Sequence, residues 1–184
     1  MGAIPAAQLS LGLLAVAGGA HGQVEPVQVA RLAGRFPGEV GPVLVACAPA
    51  QAARLPATVQ PVPLQGQGGL AGLQALLAAC TTPWLLVVPL DVLDLNDCLV
   101  RSLAAAVRAP GRDGALAVTA EGPQPWVALY RCQALAPALA QAVAAGEDGP
   151  GPLQRRLRLE PVALAGVRFG RPPARPLPPL LGPR

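Results

Sequence analysis

The chain has 184 residues, of which 52% are hydrophobic, 3% aromatic and 13% charged. Its mean hydropathy of +0.44 predicts a folded core, and its length fits one domain. All fourteen basic residues are Arg, which excludes chemistry that needs a lysine amine. Seven of these Arg follow residue 154, so the net charge of +4 belongs to the C-terminal end. A basic face with interleaved aromatic residues is absent from the sequence, and we expect no nucleic-acid partner.

Apolar runs in chain order predict buried strands that alternate with helices. The first predicted strand is residues 11–17. Residues 9–17 also have the length of a signal-peptide core, but no positive charge precedes them, and the strand is favoured. The further predicted strands are residues 42–47, 59–64, 84–90, 115–120, 126–130 and 161–169. The predicted helices are residues 69–80, 96–108 with Asn96 or Asp94 as its cap, 135–145 and 153–157.

This alternation is typical of an α/β fold, and we expect a three-layer, Rossmann-like, mostly parallel sheet in a single domain over residues 1–169. Six prolines follow residue 170, so residues 170–184 are predicted to be a flexible Pro/Arg-rich tail. No apolar run reaches the ~20 residues of a membrane span, and we expect no membrane partner.

The cysteines are widely spaced, and the chain contains a single His. These spacings exclude the usual zinc motifs. Reduced thiols and a cytoplasmic location are expected. The four cysteines are Cys47, Cys80, Cys98 and Cys132.

Three loops that follow predicted strands carry residues suited to a ligand site. Loop 17–22 is rich in glycine, whose backbone N–H groups can approach a phosphate closely. Loop 65–69 is also rich in glycine and leads into a helix N-terminus. Asp91 directly follows a buried strand and is a candidate metal ligand. Asp94 and Asp97 are better explained as helix-capping acids.

Five segments together resemble the molybdenum cofactor guanylyltransferases. Residues 16–19 (VAGG) resemble the start of that family's signature L-A-G-G-x-S-x-R-M-G-x-D-K. Residues 69–73 (GLAGL) resemble its G-P-L-A-G-L segment, and residues 84–91 (WLLVVPLD) its W-x-L-x-x-P-C-D strand. Residues 124–131 (QPWVALYR) and 145–147 (AGE) are similar to its Q-P-L-x-A-L-Y and A-G-E segments.

The resemblance implies a nucleotidyltransferase fold and transfer of a nucleotide from GTP or CTP to molybdopterin. It also implies a Mg²⁺ cofactor, with Asp91 as the catalytic residue and metal ligand. A molybdoenzyme or a cofactor-biosynthesis protein is an implied partner. The nucleotide-binding residues it implies are Ala17, Gly18, Gly19, Gly69, Leu70 and Asp91.

The signature loop departs from the family at its charged positions. The family's arginine falls at Gln23, its aspartate near Val27 and its lysine near Gln28. Positioned cations carry much of the catalysis in nucleotidyl transfer. A catalytically impaired relative that binds a cofactor or a partner is therefore the competing hypothesis. Arg31 and Arg35 are hypothetical substitutes for the missing cations.

Overall fold

The computed structural model describes residues 4–15, 24–147, 149–165 and 168–169 of the chain. A short 3₁₀ helix at Ala6–Gln8 precedes the first strand. The strands are β1 (Leu9–Leu14), β2 (Val43–Cys47), β3 (Gln60–Pro63), β4 (Trp84–Pro89), β5 (Val92–Asp94), β6 (Gly114–Thr119), β7 (Gly122–Arg131), β8 (Leu159–Ala163) and β9 (Arg168–Phe169). The helices are α1 (Pro26–Ala33), α2 (Pro49–Ala52), α3 (Gly69–Ala79), α4 (Leu99–Ala106), α5 (Cys132–Ala144) and α6 (Pro150–Gln154).

A seven-stranded sheet of order β3-β2-β1-β4-β7-β6-β8 forms the centre of the molecule. β7 runs antiparallel to both of its neighbours, β4 and β6, and the other neighbouring strands of this sheet are parallel. β5 and β9 form a separate antiparallel pair. The mostly parallel α/β fold predicted from the sequence is thereby confirmed.

Alternating side chains along the central strands divide the core into two layers. Leu11 and Leu13 of β1 pack with the helices α1 and α4 on one face of the sheet. Leu14 faces the opposite side and packs with α3 and α5. Because β1 and β4 are covered on both faces, β4 is a continuous apolar run and β1 is apolar except at the buried Ser10, as is typical of buried parallel strands. The predicted three-layer arrangement follows from this double burial.

Several element bounds differ from the sequence-based prediction. β1 begins at Leu9, two residues before the predicted strand. Residues 122–125, which precede the predicted strand 126–130, also belong to β7, because Thr119 pairs with Gly122 and the turn is confined to residues 120–121. The sixth helix lies at residues 150–154, not at 153–157. In the described part of the chain, no helix is long and apolar enough to cross a membrane.

Asp113, directly before β6, forms hydrogen bonds with Arg158, directly before β8. Its carboxylate accepts hydrogen bonds from the backbone N–H of Arg158 at 3.0 Å and from the guanidinium of the same residue at 3.1 Å. The Asp113 side chain is only 16% exposed. The bonds from Arg158 hold the pKa of Asp113 below its ordinary value. A depressed carboxylate pKa contributes stability above the unfolded-state pKa, and this contribution is lost as pH falls through the folded-state value.

We therefore expect Asp113→Asn to be less stable than the wild type at pH 6 and to approach it in stability at acid pH. The unfolded-state pKa of Asp is about 3.9, so the difference in urea midpoint should persist down to about pH 5 and shrink below that. Urea unfolding at pH 6, 5, 4 and 3 measures it. Arg158→Gln removes the same charge pair and should show the same pH dependence; a difference that persists unchanged at pH 3 would contradict the assignment.

Candidate functional site

The chain segments that leave β1 and β4 emerge side by side at the carboxyl edge of the sheet. Leu14 pairs with Pro89 in parallel register, and the backbone N–H of Leu90 donates to the carbonyl oxygen of Leu14 at 2.9 Å. Asp91 therefore follows directly on the strand end that adjoins the start of the glycine-rich loop. Ala17, Gly18 and Gly19 themselves lie outside the described residues, and their predicted contact with a nucleotide stays a prediction.

The N-terminal part of α3 lies at the same edge. A Cβ added at Gly72 would overlap the side chain of Leu14, so only glycine lets the helix approach the end of β1 this closely. Leu70 is 6% exposed and packs into the core layer beneath α3. Its side chain is thus turned away from solvent, which leaves the backbone of the first turn as the part of Leu70 that can face a ligand.

Gly69 begins α3 beside the side chain of Trp126, a contact that the sequence did not predict. A Cβ at this position would overlap the indole ring of Trp126. Trp126 lies in β7, which pairs antiparallel with β4 and so runs from the carboxyl edge of that strand. The helix N-terminus and its free N–H groups are in this way held between β7 and the end of β1. The two predicted loops that the structure describes, 65–69 and the one containing Asp91, therefore lie at one edge.

Asp91 is exposed, yet neighbouring protein atoms remove part of its hydration, and this burial raises the pKa of its carboxyl group. Among the described residues it takes part in no ion pair. Nor do these residues include a cluster of three or more metal-binding side chains. A single carboxylate fits Mg²⁺, which is commonly bound through one or two carboxylates together with water and substrate phosphates. Asp91 is therefore suited to a metal that arrives with a nucleotide.

Helix α1 holds the segment around Asp91 through two polar side chains. The Gln28 amide nitrogen donates to the carbonyl oxygens of Leu90 and Val92, at 2.9 and 2.8 Å. A guanidinium nitrogen of Arg31 also donates to the Val92 carbonyl. These hydrogen bonds fix the backbone on both sides of Asp91. The sequence marked Gln28 only as the place of a lost lysine, and no local pattern predicts this long-range contact.

The next polar contacts explain why Asp97 is not part of the site. Arg35 donates to the Leu95 carbonyl at 2.7 Å and forms an ion pair with Asp97. Asn96 accepts a hydrogen bond at 2.7 Å from the backbone N–H of Cys98, which closes a turn before α4. The N-cap of α4 is Cys98, which makes no side-chain cap bond, so the predicted capping role of Asn96 is wrong. Asp94 lies in β5 and is not a helix cap, contrary to that prediction. Neither Arg31 nor Arg35 lacks a protein partner in this arrangement.

We expect Gln28→Ala to destabilise the protein by about 1–2 kcal/mol, because two carbonyl groups lose a shared, partly buried donor. Urea unfolding at neutral pH measures the loss. Gln74→Ala, on the exposed face of α3, removes the same amide from a helix and should cost less than about 0.5 kcal/mol. Equal losses in the two variants would show that Gln28 does not hold the Asp91 segment.

The fold is shared with solved nucleotide-handling enzymes. Molybdopterin-guanine dinucleotide biosynthesis protein A from Archaeoglobus fulgidus superposes with a TM-score of 0.64 at 18% identity, over 84% of this chain and 83% of its own. The 2-C-methyl-D-erythritol 4-phosphate cytidylyltransferase from Thermus thermophilus gives 0.60 at 22% identity, over 88% and 92%. Glucosyl-3-phosphoglycerate synthase from Mycobacterium tuberculosis, solved with Mn²⁺ and uridine-diphosphate-glucose, gives 0.60 at 12% identity, over 90% and 72%.

At these identities the likeness shows the fold. No curated protein is similar enough in sequence to count as a match. The sequence model of the MobA-like NTP transferase domain, however, matches residues 22–162, which is most of the chain. Four of the five segments that resemble the guanylyltransferases lie within this match, and the sheet order agrees with the fold of the solved relatives. The chain therefore belongs to the family of MobA-like NTP transferase domains.

Proposed function

We propose that the protein transfers a nucleotide from GTP or CTP to molybdopterin. The observation that carries the proposal is the meeting of the β1 end, the α3 N-terminus and Asp91 at one edge of the sheet, through the Leu90–Leu14 hydrogen bond and the contact of Gly72 with Leu14. Nucleotides bind at the carboxyl edge of such sheets. Family membership supports the same chemistry.

In this proposal each element of the edge has one task. The backbone N–H groups of Gly18 and Gly19 hold the triphosphate, Ala17 leads into them, and the first turn of α3 at Gly69 and Leu70 positions the base. A phosphate oxygen of molybdopterin forms a bond to the α-phosphorus, and the bond from that phosphorus to the pyrophosphate oxygen breaks. The chain's contribution is to orient these groups, since positioning and electrostatics dominate such transfers.

Asp91 would hold a divalent cation, Mg²⁺ in our proposal, that neutralises charge on the phosphates. The Gln28 and Arg31 bonds to the flanking backbone keep this carboxylate at the edge. Arg31 binds the backbone carbonyl of Val92, the residue after Asp91, in a chain whose signature loop lacks the family's Arg and Lys. Reduced cysteines fit a cytoplasmic setting for the reaction.

A noncatalytic binding module is the second candidate function. The observation that favours it is chemical: Gln28, at the position near the family's lysine, donates from its amide nitrogen to two backbone carbonyls, so this amide serves the fold. A neutral amide also cannot replace an ammonium group opposite a triphosphate. Such a module would keep the edge for a cofactor or for a molybdoenzyme or cofactor-biosynthesis partner.

Titration calorimetry with GTP and with CTP, each with and without Mg²⁺, tests the proposal on the full chain. A transferase should bind one nucleotide with an affinity that rises at least roughly tenfold when Mg²⁺ is added, because Asp91 would hold the cation and the cation would neutralise charge on the phosphates. Pyrophosphate release should then appear only when molybdopterin is also present. Absence of metal-dependent nucleotide binding would favour the binding module. In that case a titration with molybdopterin that shows binding would identify the ligand of the module.

A further inference from the structure

Two cysteines meet at the end of α3 that is remote from Asp91. Cys80 directly follows α3, and Cys132 is the first residue of α5. Their Sγ atoms are 3.7 Å apart although 52 positions separate them in the chain. Both backbones are anchored: the N–H of Cys132 donates to the Pro83 carbonyl at 2.9 Å, and that of Cys80 donates to the Leu77 carbonyl at 3.2 Å. The fold therefore holds the two thiol groups in contact with each other.

Hydroxyl groups surround the sulfur of Cys80. Thr82 Oγ1 lies 3.4 Å from Cys80 Sγ and 2.8 Å from the buried Ser10 Oγ. The Thr82 hydroxyl is also 2.8 Å from the Trp84 carbonyl, so its single proton can be directed to either acceptor. Ser10 and Thr82 are both buried, with 0% and 8% of their surfaces exposed.

The two thiols are chemically unequal. Either thiol can donate in the contact between the two sulfur atoms. Cys80 also lies beside the Thr82 hydroxyl, and its hydrogen bonds with Cys132 and Thr82 lower its pKa, whereas the contact with Cys80 and burial raise the pKa of Cys132. Cys80 is thus the sulfur that is deprotonated first, and Cys132 is the one that keeps its proton. A nucleophilic thiolate next to a second thiol is the arrangement found in redox-sensitive cysteine pairs.

We propose that Cys80 and Cys132 form a redox-active dithiol that closes to an intramolecular disulfide when the protein meets a peroxide. The Cys80 thiolate attacks one peroxide oxygen, the O–O bond breaks, and Cys80 becomes a sulfenic acid with release of water or alcohol. The Cys132 sulfur then attacks Cys80 Sγ and displaces its oxygen as water. Two thiols are oxidised and one peroxide is reduced, and the two thiol protons end in the water and the other product.

The geometry allows the bond to form with small movements. A disulfide has an S–S length of roughly 2.05 Å, so the sulfur atoms must approach by less than about 2 Å in total, which side-chain rotation can provide. Both residues are partly exposed, which gives a small oxidant access to them. Cys47 is buried, and burial raises its pKa, so it should stay unreactive. Cys98 is exposed and not near a second cysteine in the described chain, so it can form only bonds between molecules.

The test uses the full chain carrying Cys98→Ser, which prevents links between molecules. After treatment with hydrogen peroxide, we expect the loss of two titratable thiols and a mass two hydrogens lower. A peptide pair joined through Cys80 and Cys132 should appear in the digest, and dithiothreitol should reverse all three changes. The bond closes a long loop, so it should also raise the melting temperature by roughly 10 °C.

Cys132→Ser and Cys80→Ser in the same background are the matched controls. Both should fold, as circular dichroism can verify, and neither should gain melting temperature on oxidation. Cys132→Ser should accumulate sulfinic acid at Cys80, because the thiol that would capture the sulfenic acid is gone. Oxidation of the parent to sulfinic acid without a cross-link would overturn the proposal, as would a cross-link that involves Cys47.

Discussion

Asp91→Asn should reduce pyrophosphate release from GTP or CTP, measured with molybdopterin and Mg²⁺, by on the order of 10³-fold. The change keeps the shape of the side chain but removes the negative charge that holds a divalent cation in our proposal, and charge stabilisation of the phosphates is the main source of rate in this chemistry. The fold should be unaffected. Burial raises the pKa of Asp91, which means that the folded protein does not stabilise the charged carboxylate. Replacing it with a neutral amide should therefore not destabilise the fold.

Asp94→Asn is the matched control for this variant. Asp94 is an exposed carboxylate three positions further along the same segment, outside the proposed site. It should retain activity within a factor of about two. Full activity in Asp91→Asn would remove Asp91 from the proposed metal site. Calorimetry of the variant also separates the two candidate functions. A transferase should lose metal-dependent nucleotide binding in Asp91→Asn, whereas a module that binds no nucleotide should give the same calorimetric result in the variant and the wild type.

The sheet could be predicted from sequence wherever a strand is covered on both sides. Residues 84–89 form a continuous apolar run because both faces of β4 are buried, and the same holds for most of β1. The short pair of β5 and β9 could not be predicted, since its two strands are far apart in the chain and hold only three and two residues. Pairing between such short segments is decided by tertiary contacts that leave no periodic signal.

The candidate site was predictable only in part, for a related reason. The position of Asp91 after a buried strand is a local signal, and the structure keeps it at the carboxyl edge. The role of Gln28 depends on backbone carbonyls at least 62 positions away in the chain. The role of Trp126 depends on the close approach of Gly69, the first residue of α3. Leu70 shows the opposite limit: the family motif suggests a ligand contact, and burial of its side chain restricts that contact to the backbone.

Close contact between α3 and β1 connects the packing of the fold with the geometry of the site. We expect Gly72→Val to destabilise the protein by about 2–3 kcal/mol, because the new side chain must displace the buried Leu14. The loss should appear although valine has a better helix propensity than glycine. Displacement of the helix should also weaken nucleotide binding, since the first turn of α3 and the end of β1 would separate. Urea unfolding and calorimetry measure the two effects.

Leu14→Ala supplies the space that Gly72→Val needs, so the double variant separates a steric cause from a general defect. Leu14→Ala alone should cost about 3 kcal/mol through the cavity it leaves. If the contact is responsible, the double variant should be about 2 kcal/mol more stable than the sum of the single losses predicts. Ala78→Val, on the exposed face of α3, introduces the same side chain away from β1 and should cost less than about 1 kcal/mol. Additive losses at positions 14 and 72 would show that the helix tolerates a side chain there, and the site would then not depend on this contact.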